Sequence, residues 1–299
     1  MRKTLHVSSD EAGKRLDSFI ANNLADISRT KVKELIENKS VLVNNQSKKA
    51  SYILKSSDII ELNILDREDF RLKPYPLKIE ILHEDNDVII VNKPRNLTVH
   101  PPNKDSHNTL INALTYMEKE LSNINPLRRG VVHRLDKETS GVMILAKNNR
   151  AHLNLIGQFK RRVIKKEYFA LVWGIIRDQH VTIDMPLRRD DNNRLKMKVS
   201  FLKAKQAKTS LDVVKTFSDS TYVKLNPFTG RMHQIRVHLK FLGYPIVGDK
   251  KYGIKDNYDN LFLHARRLGF FHPKNDEFLE FSAPLPQRFL DFMKERENV

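Results

Sequence analysis

The sequence predicts an α+β protein: a large domain with a mixed, mainly antiparallel sheet flanked by helices and loops, preceded by a small α+β domain. Three observations support this fold class. Segments with the apolar pattern of strands outnumber segments with helical spacing. The strands and helices do not alternate regularly, as they would in a parallel sheet. A charged stretch without periodicity, residues 66–76, ends in two prolines and is predicted to link the two domains.

The first 65 residues have the pattern of the small domain. Ser28 is predicted to cap a second helix, Arg29–Glu37. Short strands are expected at Val41–Val43 and Ile59–Leu65, with a turn at Asn44–Asn45. The apolar residues at helical spacing are Leu16, Phe19, Ile20 and Leu24 in the first helix and Val32, Leu35 and Ile36 in the second.

Residues 77–299 form the predicted large domain. Its expected strands are Val88–Asn92, Val142–Ala146, Lys166–Trp173, Thr209–Phe217, Thr221–Pro227, Gln234–Leu239 and Leu261–Leu268. Its expected helices are Thr109–Leu121, Arg150–Arg161 and Pro286–Glu295. These segments are long enough to build one sheet with helices packed against it.

The composition indicates a polyanionic partner. The 299 residues include 53 Lys and Arg against 36 Asp and Glu, a net charge of +17. Nucleic acid is the first candidate partner and an anionic membrane the second. The absence of cysteine excludes disulfides, thiolate metal sites and cysteine nucleophiles. Without a secretory signal or an apolar run of ~18–20 residues, we expect a cytoplasmic protein that does not bind a membrane.

One nine-residue string, His133–Gly141 (HRLDKETSG), is the strongest candidate for a functional site. It places the carboxylate of Asp136 between the basic residues Arg134 and Lys137, directly before the apolar run Val142–Ala146. A carboxylate on a turn against a buried strand can be held rigidly, as a catalytic group must be.

This string resembles the signature of the RluA/RluD-type pseudouridine synthases. Four further segments resemble blocks of that family, in the same order: VNKPRNLTVHP (91–101), KKEYFALVWG (165–174), PFTGRMHQIRVHLKFLGYPIVGDKKYG (227–253) and LFLHARRLGFFHP (261–273). The first 65 residues resemble the small RNA-binding domain first described in a ribosomal small-subunit protein. Many members of the family carry that domain ahead of the catalytic one.

The resemblance implies an enzyme that detaches a uracil from its ribose, rotates it and rejoins it through carbon. Asp136 corresponds to the catalytic carboxylate. Arg231 is interpreted as the cation that pairs with Asp136 and keeps it ionised, since a carboxylate under a base tends to take up a proton. Phosphate binding is the alternative role for Arg231. Tyr168 corresponds to the tyrosine that stacks on uracil.

Further residues are predicted to contact the RNA. By resemblance, Arg134 fills the gap that the flipped base leaves, and Leu263 either walls the uracil pocket or simply packs in the core. His133 lies within the signature, and a structural or hydrogen-bonding role is favoured over metal ligation. The basic cluster at the start of the second helix is expected to bind RNA or to form a solvated helix face: Arg29, Lys31 and Lys33.

The predicted function is the isomerisation of specific uridines in RNA by a monomer without cofactor or metal. The domain pairing favours large-subunit ribosomal RNA over transfer RNA. One alternative is a non-catalytic RNA-binding or ribosome-assembly protein, which would not need Asp136, Tyr168 and Arg231 together. The other is an aspartyl-phosphate enzyme, which the spacing of acidic residues does not favour.

Overall fold

The computed structural model describes residues 2–24, 29–63, 72–103 and 106–297. The chain divides into two compact units, Met1–Arg71 and Leu72–Val299. Residues 66–71 of the predicted linker lie outside the described residues. The rest of that segment packs on the larger unit, because Leu72 is buried and the backbone at Lys73 and Tyr75 hydrogen-bonds with Asn112.

The smaller unit contains a three-stranded antiparallel sheet and two helices. The sheet has the order β1-β3-β2, in which the first strand lies where none was predicted. Both predicted helices are confirmed, whereas Ser28 lies outside the described residues. The elements are β1 (Arg2–His6), a 3-10 turn (Ser9–Glu11), α1 (Leu16–Asn23), α2 (Arg29–Glu37), β2 (Val41–Val43) and β3 (Ile59–Asn63).

The turn after β2 depends on two asparagines with left-handed backbone. Asn44 and Asn45 have φ angles of 49° and 60°, a region that asparagine tolerates better than most residues. The Asn44 side chain also donates to Asp58 Oδ1 (2.8 Å) and accepts from the Ile59 backbone N–H (2.9 Å). The asparagine therefore closes the turn and fastens it to β3.

In its described residues, the larger unit contains a nine-stranded sheet, a separate pair of strands and four α-helices. The strands are β4 (Glu80–Glu84), β5 (Val88–Lys93), β6 (Ser140–Ala146), β7 (Lys165–Trp173), β8 (His180–Asp184), β9 (Leu187–Arg189), β10 (Met197–Val199), β11 (Lys208–Thr216), β12 (Ser220–Pro227), β13 (Leu263–Phe271) and β14 (Phe278–Ser282). The helices are α3 (Leu110–Tyr116), α4 (Asn149–Arg161), α5 (Gln234–Phe241) and α6 (Gln287–Glu297), with a 3-10 turn at Pro126–Arg128. No helix within the described ranges is long and apolar enough to cross a membrane.

The sheet is mixed and mainly antiparallel, as predicted. Its order is β4-β5-β6-β13-β7-β12-β11-β8, β14 pairs with β13, and β9 and β10 form a separate hairpin. Only β6 and β13 run parallel. The strands that the sequence did not predict include β4 and β8, which end the sheet, and β14, whose side chains are mostly solvent-exposed. Such strands lack the apolar pattern of buried ones because little of their surface is covered.

The parallel pair β6–β13 fixes the end of the HRLDKETSG string. Ser140 and Gly141 pair with His264 and Ala265, and Ser140 Oγ lies 2.9 Å from His264 Nδ1. Gly141 has a φ of 119°, and a Cβ there would lie 2.1 Å from the Ala265 carbonyl oxygen. Only glycine permits this approach, so the last residue of the string anchors the turn that carries Asp136.

The predicted strand Gln234–Leu239 was wrong, because these residues form helix α5. Apolar residues alternate with polar ones there, which suggested a half-buried strand. In the structure the alternating polar residues are also buried, and each has hydrogen-bond partners: Gln234, Arg236 and His238. A short helix buried on all sides therefore has the sequence pattern of a strand.

Candidate active site

A cavity of about 520 Å³ opens in the larger unit, within the ~300–1,000 Å³ typical of small-molecule sites. Its walls are the turn before β6, the strands β7 and β13, the end of α4 and the loop between β12 and α5. It brings together the six predicted site residues of this unit: His133, Arg134, Asp136, Tyr168, Arg231 and Leu263.

Asp136 lies on a tight turn against the fully buried strand β6. The turn is closed by the Thr139 N–H, which donates to the Asp136 carbonyl oxygen at 3.2 Å. The Asp136 side chain is 17% exposed and faces the cavity. The carboxylate is thus accessible to a ligand while its backbone is fixed.

The cation beside Asp136 is Arg236 of α5. Arg236 Nη1 lies 3.6 Å from Asp136 Oδ2 and 3.3 Å from Glu138 Oε2. Arg236 Nε and Nη2 donate to the two oxygens of Asp249 at 2.8 and 2.7 Å. The guanidinium is 2% exposed. Burial lowers its pKa, but Asp249 and the other two carboxylates outweigh this and raise the pKa overall, so Arg236 stays charged.

This arrangement corrects the predicted pair between Asp136 and Arg231. Arg231 lies in the loop before α5, where its Nε donates to the Gln206 carbonyl oxygen at 3.0 Å. Its other guanidinium nitrogens make no hydrogen bond with any residue that the structure describes. The prediction failed because residues 234–239 were expected to form a half-buried strand. In such a strand Arg236 would lie on the face exposed to solvent and not inside the protein. Arg231 lines the cavity, and phosphate binding, its alternative role, stays a prediction.

Asp249 holds Arg236 in place and was not predicted. It is 1% exposed, and its Oδ1 also accepts from the backbone N–H groups of Lys251 and Tyr252, at 2.9 and 3.0 Å. The Tyr252 ring lies 5.4 Å from the Arg236 guanidinium carbon, within cation–π distance. The Gly-Asp-Lys-Lys-Tyr segment therefore holds the arginine through guanidinium nitrogens other than Nη1, the one nearest Asp136.

Tyr168 and Leu263 form the apolar wall of the cavity. They lie on the neighbouring strands β7 and β13, which pair antiparallel. Leu263 is buried. Burial and the nearby charge of Asp136 raise the pKa of Tyr168 well above its ordinary value. The phenol is therefore neutral, and its ring offers a face to a flat ligand and its hydroxyl a hydrogen bond. Arg134 is exposed at the cavity wall.

Lys93 also supports the turn that carries Asp136, and it was not predicted from the sequence. It is completely buried at the end of β5, and its ammonium donates to the carbonyl oxygens of Pro94, Leu97 and Lys137 at 2.8, 2.9 and 3.2 Å. Burial lowers its pKa to about 7, although the charges of Asp136 and Glu138 act in the opposite direction. A lysine at the end of a mostly apolar strand, two residues after the run Val88–Val91, was the signal in the sequence.

His133 makes its hydrogen bond within the protein. Its Nε2 accepts from the Ile144 N–H of β6 at 3.1 Å, and its ring stacks on Phe159 with centroids 4.8 Å apart. Burial, with a smaller contribution from Lys166, lowers the pKa of His133 to about 3. The neutral imidazole thus ties the HRLDKETSG string to β6, the structural role that the sequence favoured over metal binding.

Comparison with known proteins identifies the family of this chain. The family model for RNA pseudouridylate synthase matches residues 87–241, and the S4 domain model matches residues 14–60. The chain belongs to the RNA pseudouridylate synthase family. It is an enzyme, an RNA pseudouridine synthase. Residues from four of the five segments that carried the resemblance line the cavity.

Individual relatives of this synthase cover nearly its whole length. An RNA pseudouridine synthase of Bacillus subtilis is 39% identical over 96% of this chain and 95% of the relative. The ribosomal large subunit pseudouridine synthase D of Escherichia coli is 34% identical over 97% and 93%. The solved structure of human RNA pseudouridylate synthase domain containing 1 is 30% identical, with a TM-score of 0.58, over 69% of this chain and 83% of that one.

In the S4 domain of this synthase, one of the three residues that were predicted to contact RNA forms an ion pair within the protein. Arg29 Nε and Nη2 donate to the buried Asp17 carboxylate at 3.2 and 3.3 Å. Hydrogen bonds from Arg15 and then Arg29 lower the pKa of Asp17 to about 2, against the effect of burial. Lys33 is exposed, whereas the side chain of Lys31 lies outside the described residues.

One group of side chains in the described part of the synthase has the spacing of metal ligands: Asp85, Asp87 and His272. Each already has protein partners. His272 Nε2 lies 3.1 Å from Asp85 Oδ2, and Asp87 Oδ1 accepts from Asn148 and Arg150. Hydrogen bonds and ion pairs thus explain the group, which takes no part in the cavity.

We expect His133 to make the synthase less stable in acid. Unfolded histidine has a pKa of 6.5, whereas native His133 titrates at about 3, so between these values the unfolded state binds more protons. Stability from this group is complete above pH 6.5 and is lost as pH falls towards 3. Between pH 6.5 and 5 the free energy of unfolding should fall by about 2 kcal/mol more in the wild type than in His133→Gln, which retains an acceptor. Urea unfolding measures this difference; identical pH dependence of the two proteins would contradict it.

Proposed function

We propose that this enzyme isomerises specific uridines of large-subunit ribosomal RNA and that Asp136 is its catalytic carboxylate. One observation carries the proposal: the Asp136 carboxylate lies on a fixed turn, 3.6 Å from a buried arginine, in a cavity walled by Tyr168 and Leu263. A nucleoside in that cavity would meet an ionised carboxylate, an aromatic face and an aliphatic wall.

The proposed chemistry follows from these groups. The bond from ribose C1′ to uracil N1 breaks, the base rotates, and a bond from C1′ to C5 replaces it. C5 then loses its proton and N1 gains one, so the product is an isomer of the substrate. Asp136 would act by attack on the sugar, by attack on the base, or by removing a ribose proton, each of which requires its ionised form. Arg236 lies beside this carboxylate and is itself held by Asp249, so the charges of the site do not have to be organised when the substrate binds.

Cations along the cavity wall suit the phosphates on either side of the target. Lys160, Arg162, Lys166 and Arg231 line the cavity together with Arg134. Burial, and secondarily the charge of Arg162, lower the pKa of Lys166 to about 8, which leaves it mostly charged at neutral pH. Arg134 would fill the gap in the RNA left by the flipped uridine, offsetting part of the cost of flipping.

The ribosomal target rests on the relatives and on the S4 domain. Several relatives at about 35% identity are named ribosomal large subunit pseudouridine synthase D. We propose that residues 1–65 help to bind the RNA through Lys31, Lys33 and the exposed part of Arg29, whose side chain is 53% exposed although it pairs with Asp17. Residues 66–76 would link the domains and residues 77–299 would catalyse the reaction. The enzyme would act as a cytoplasmic monomer, without cofactor or metal.

Purified enzyme incubated with unmodified transcripts tests this target. We expect pseudouridine at specific positions of the large-subunit ribosomal transcript, and little in small-subunit ribosomal or transfer RNA, when positions are mapped chemically. Modification of transfer RNA alone would replace the proposed substrate. The absence of pseudouridine from all three classes would contradict the proposed reaction of this cavity.

A further inference from the structure

An exposed aromatic ring lies at the wall of the active-site cavity. Phe228 follows the last residue of β12 and lines the cavity, yet 51% of its surface is exposed. Phenylalanine usually lies in the core, and Tyr168 and Leu263 already provide the buried walls for the target base. The outward half of the Phe228 ring is therefore available to something outside the cavity.

The backbone that carries this ring is fixed. The Phe228 N–H donates to the Lys208 carbonyl oxygen at 3.0 Å. The neighbouring Thr229 hydroxyl accepts from the Lys208 N–H at 3.0 Å and donates to Gln234 Oε1 at 2.7 Å. The exposure of Phe228 is thus built into the fold, and a ligand that stacks on the ring does not have to order the loop.

Positively charged side chains lie near the ring or on the loop that carries it. Lys208 Nζ lies 5.8 Å from the ring centroid, and Lys166 Nζ donates to the Thr229 carbonyl oxygen at 3.3 Å. Arg231 follows three residues later on the same loop and also lines the cavity. An exposed aromatic ring with cations nearby is the arrangement with which proteins bind single-stranded nucleic acid: the ring stacks on a base and the cations contact phosphates.

We propose that Phe228 is a stacking site for the base next to the target uridine. When the uridine enters the cavity, the adjoining nucleotide remains at the entrance, where the exposed face of Phe228 meets its base. This inference rests on the proposed RNA substrate of the cavity and adds a second nucleotide to it. Because stacking is tolerant of base identity, the site would contribute affinity and position rather than sequence preference.

Short single-stranded RNAs that contain one uridine, with 2-aminopurine on its 5′ or its 3′ side, test the proposal directly. Every protein would carry Asp136→Asn, so the RNA stays unmodified and the readout does not depend on catalysis. The emission of 2-aminopurine falls when it stacks on an aromatic ring. With saturating protein we expect a strong fall in one of the two RNAs, lost in Phe228→Ala and retained in Phe228→Tyr.

Phe241 provides a matched control, since it is also 51% exposed but does not line the cavity. Phe241→Ala should behave like its parent. Equal emission from the parent and from Phe228→Ala, with both RNAs bound, would overturn the stacking site.

Kinetics on the ribosomal transcript give a second readout. Loss of one stacked base should raise KM about 5- to 150-fold in Phe228→Ala, with kcat nearly unchanged because the ring does not touch the reacting atoms. A fall in kcat at unchanged KM would contradict the role. A wrong substrate would give a different result: none of the proteins, the wild type included, would form pseudouridine in the transcript.

Discussion

Replacing Asp136 by Asn should lower the rate of pseudouridine formation by about 10²- to 10⁴-fold, the range for loss of a catalytic proton-transfer group, while RNA still binds. Asparagine has nearly the same shape but cannot be ionised, so it can neither attack the nucleoside nor take a proton from it. The turn should survive the substitution, because it is closed by the Asp136 backbone carbonyl and by Lys93 rather than by the carboxylate.

Glu138 provides the matched control for this substitution. It lies on the same turn, two residues further on, and its Oε2 also contacts Arg236, at 3.3 Å. Its side chain does not line the cavity. Glu138→Gln should retain most of the activity, with both variants compared under single-turnover conditions and by RNA binding. Equal losses in the two variants would show that the turn needs carboxylates for its structure and not Asp136 for the reaction.

Replacing Arg236 by Met should reduce both activity and stability strongly. The guanidinium is the buried counter-charge of Asp249, and its removal leaves that carboxylate unpaired, at a cost of about 3–5 kcal/mol in the free energy of unfolding. Asp136 also loses the cation that lies 3.6 Å from its carboxylate, so kcat should fall more than RNA affinity. Urea unfolding and single-turnover rates measure the two effects separately.

Two further variants separate the roles of the arginines. Arg231→Met removes a cation that bonds only to a backbone carbonyl, so it should weaken RNA binding and leave stability nearly unchanged. The double variant Arg236→Met with Asp249→Asn should recover part of the lost stability, since no buried charge remains unpaired there, without recovering activity. A larger loss of turnover in Arg231→Met than in Arg236→Met would restore Arg231 as the partner of Asp136.

The sequence predicted the parts of this molecule in which burial follows a simple period. The buried strands β5, β6, β7, β11, β12 and β13 were all expected, because continuous or alternating apolar runs mark strands covered on one or both faces. The helices of the S4 domain were found for the same reason. Strands at the ends of the sheet were missed, because little of their surface is buried and their residues follow no period.

The positions of the site residues were predicted where one motif contains the whole arrangement. The prediction failed where the site depends on buried polar groups. Asp136, Tyr168 and Leu263 lie in the cavity as the family resemblance implied. Arg236 was missed because its burial depends on Asp249, thirteen residues later, and no local pattern shows that the two side chains meet. An arginine is expected to be exposed to solvent unless a buried partner for its charge is known. The sequence alone therefore did not indicate that Arg236 is buried.

A map of pseudouridine in the ribosomal RNA of cells that lack this protein tests the proposed function most directly. The map is then repeated after return of either the wild-type chain or Asp136→Asn. We predict that specific pseudouridines of the large subunit disappear with the protein, return with the wild type and stay absent with Asp136→Asn at equal protein levels. Restoration of these pseudouridines by Asp136→Asn, or an unchanged map in cells without the protein, would contradict it.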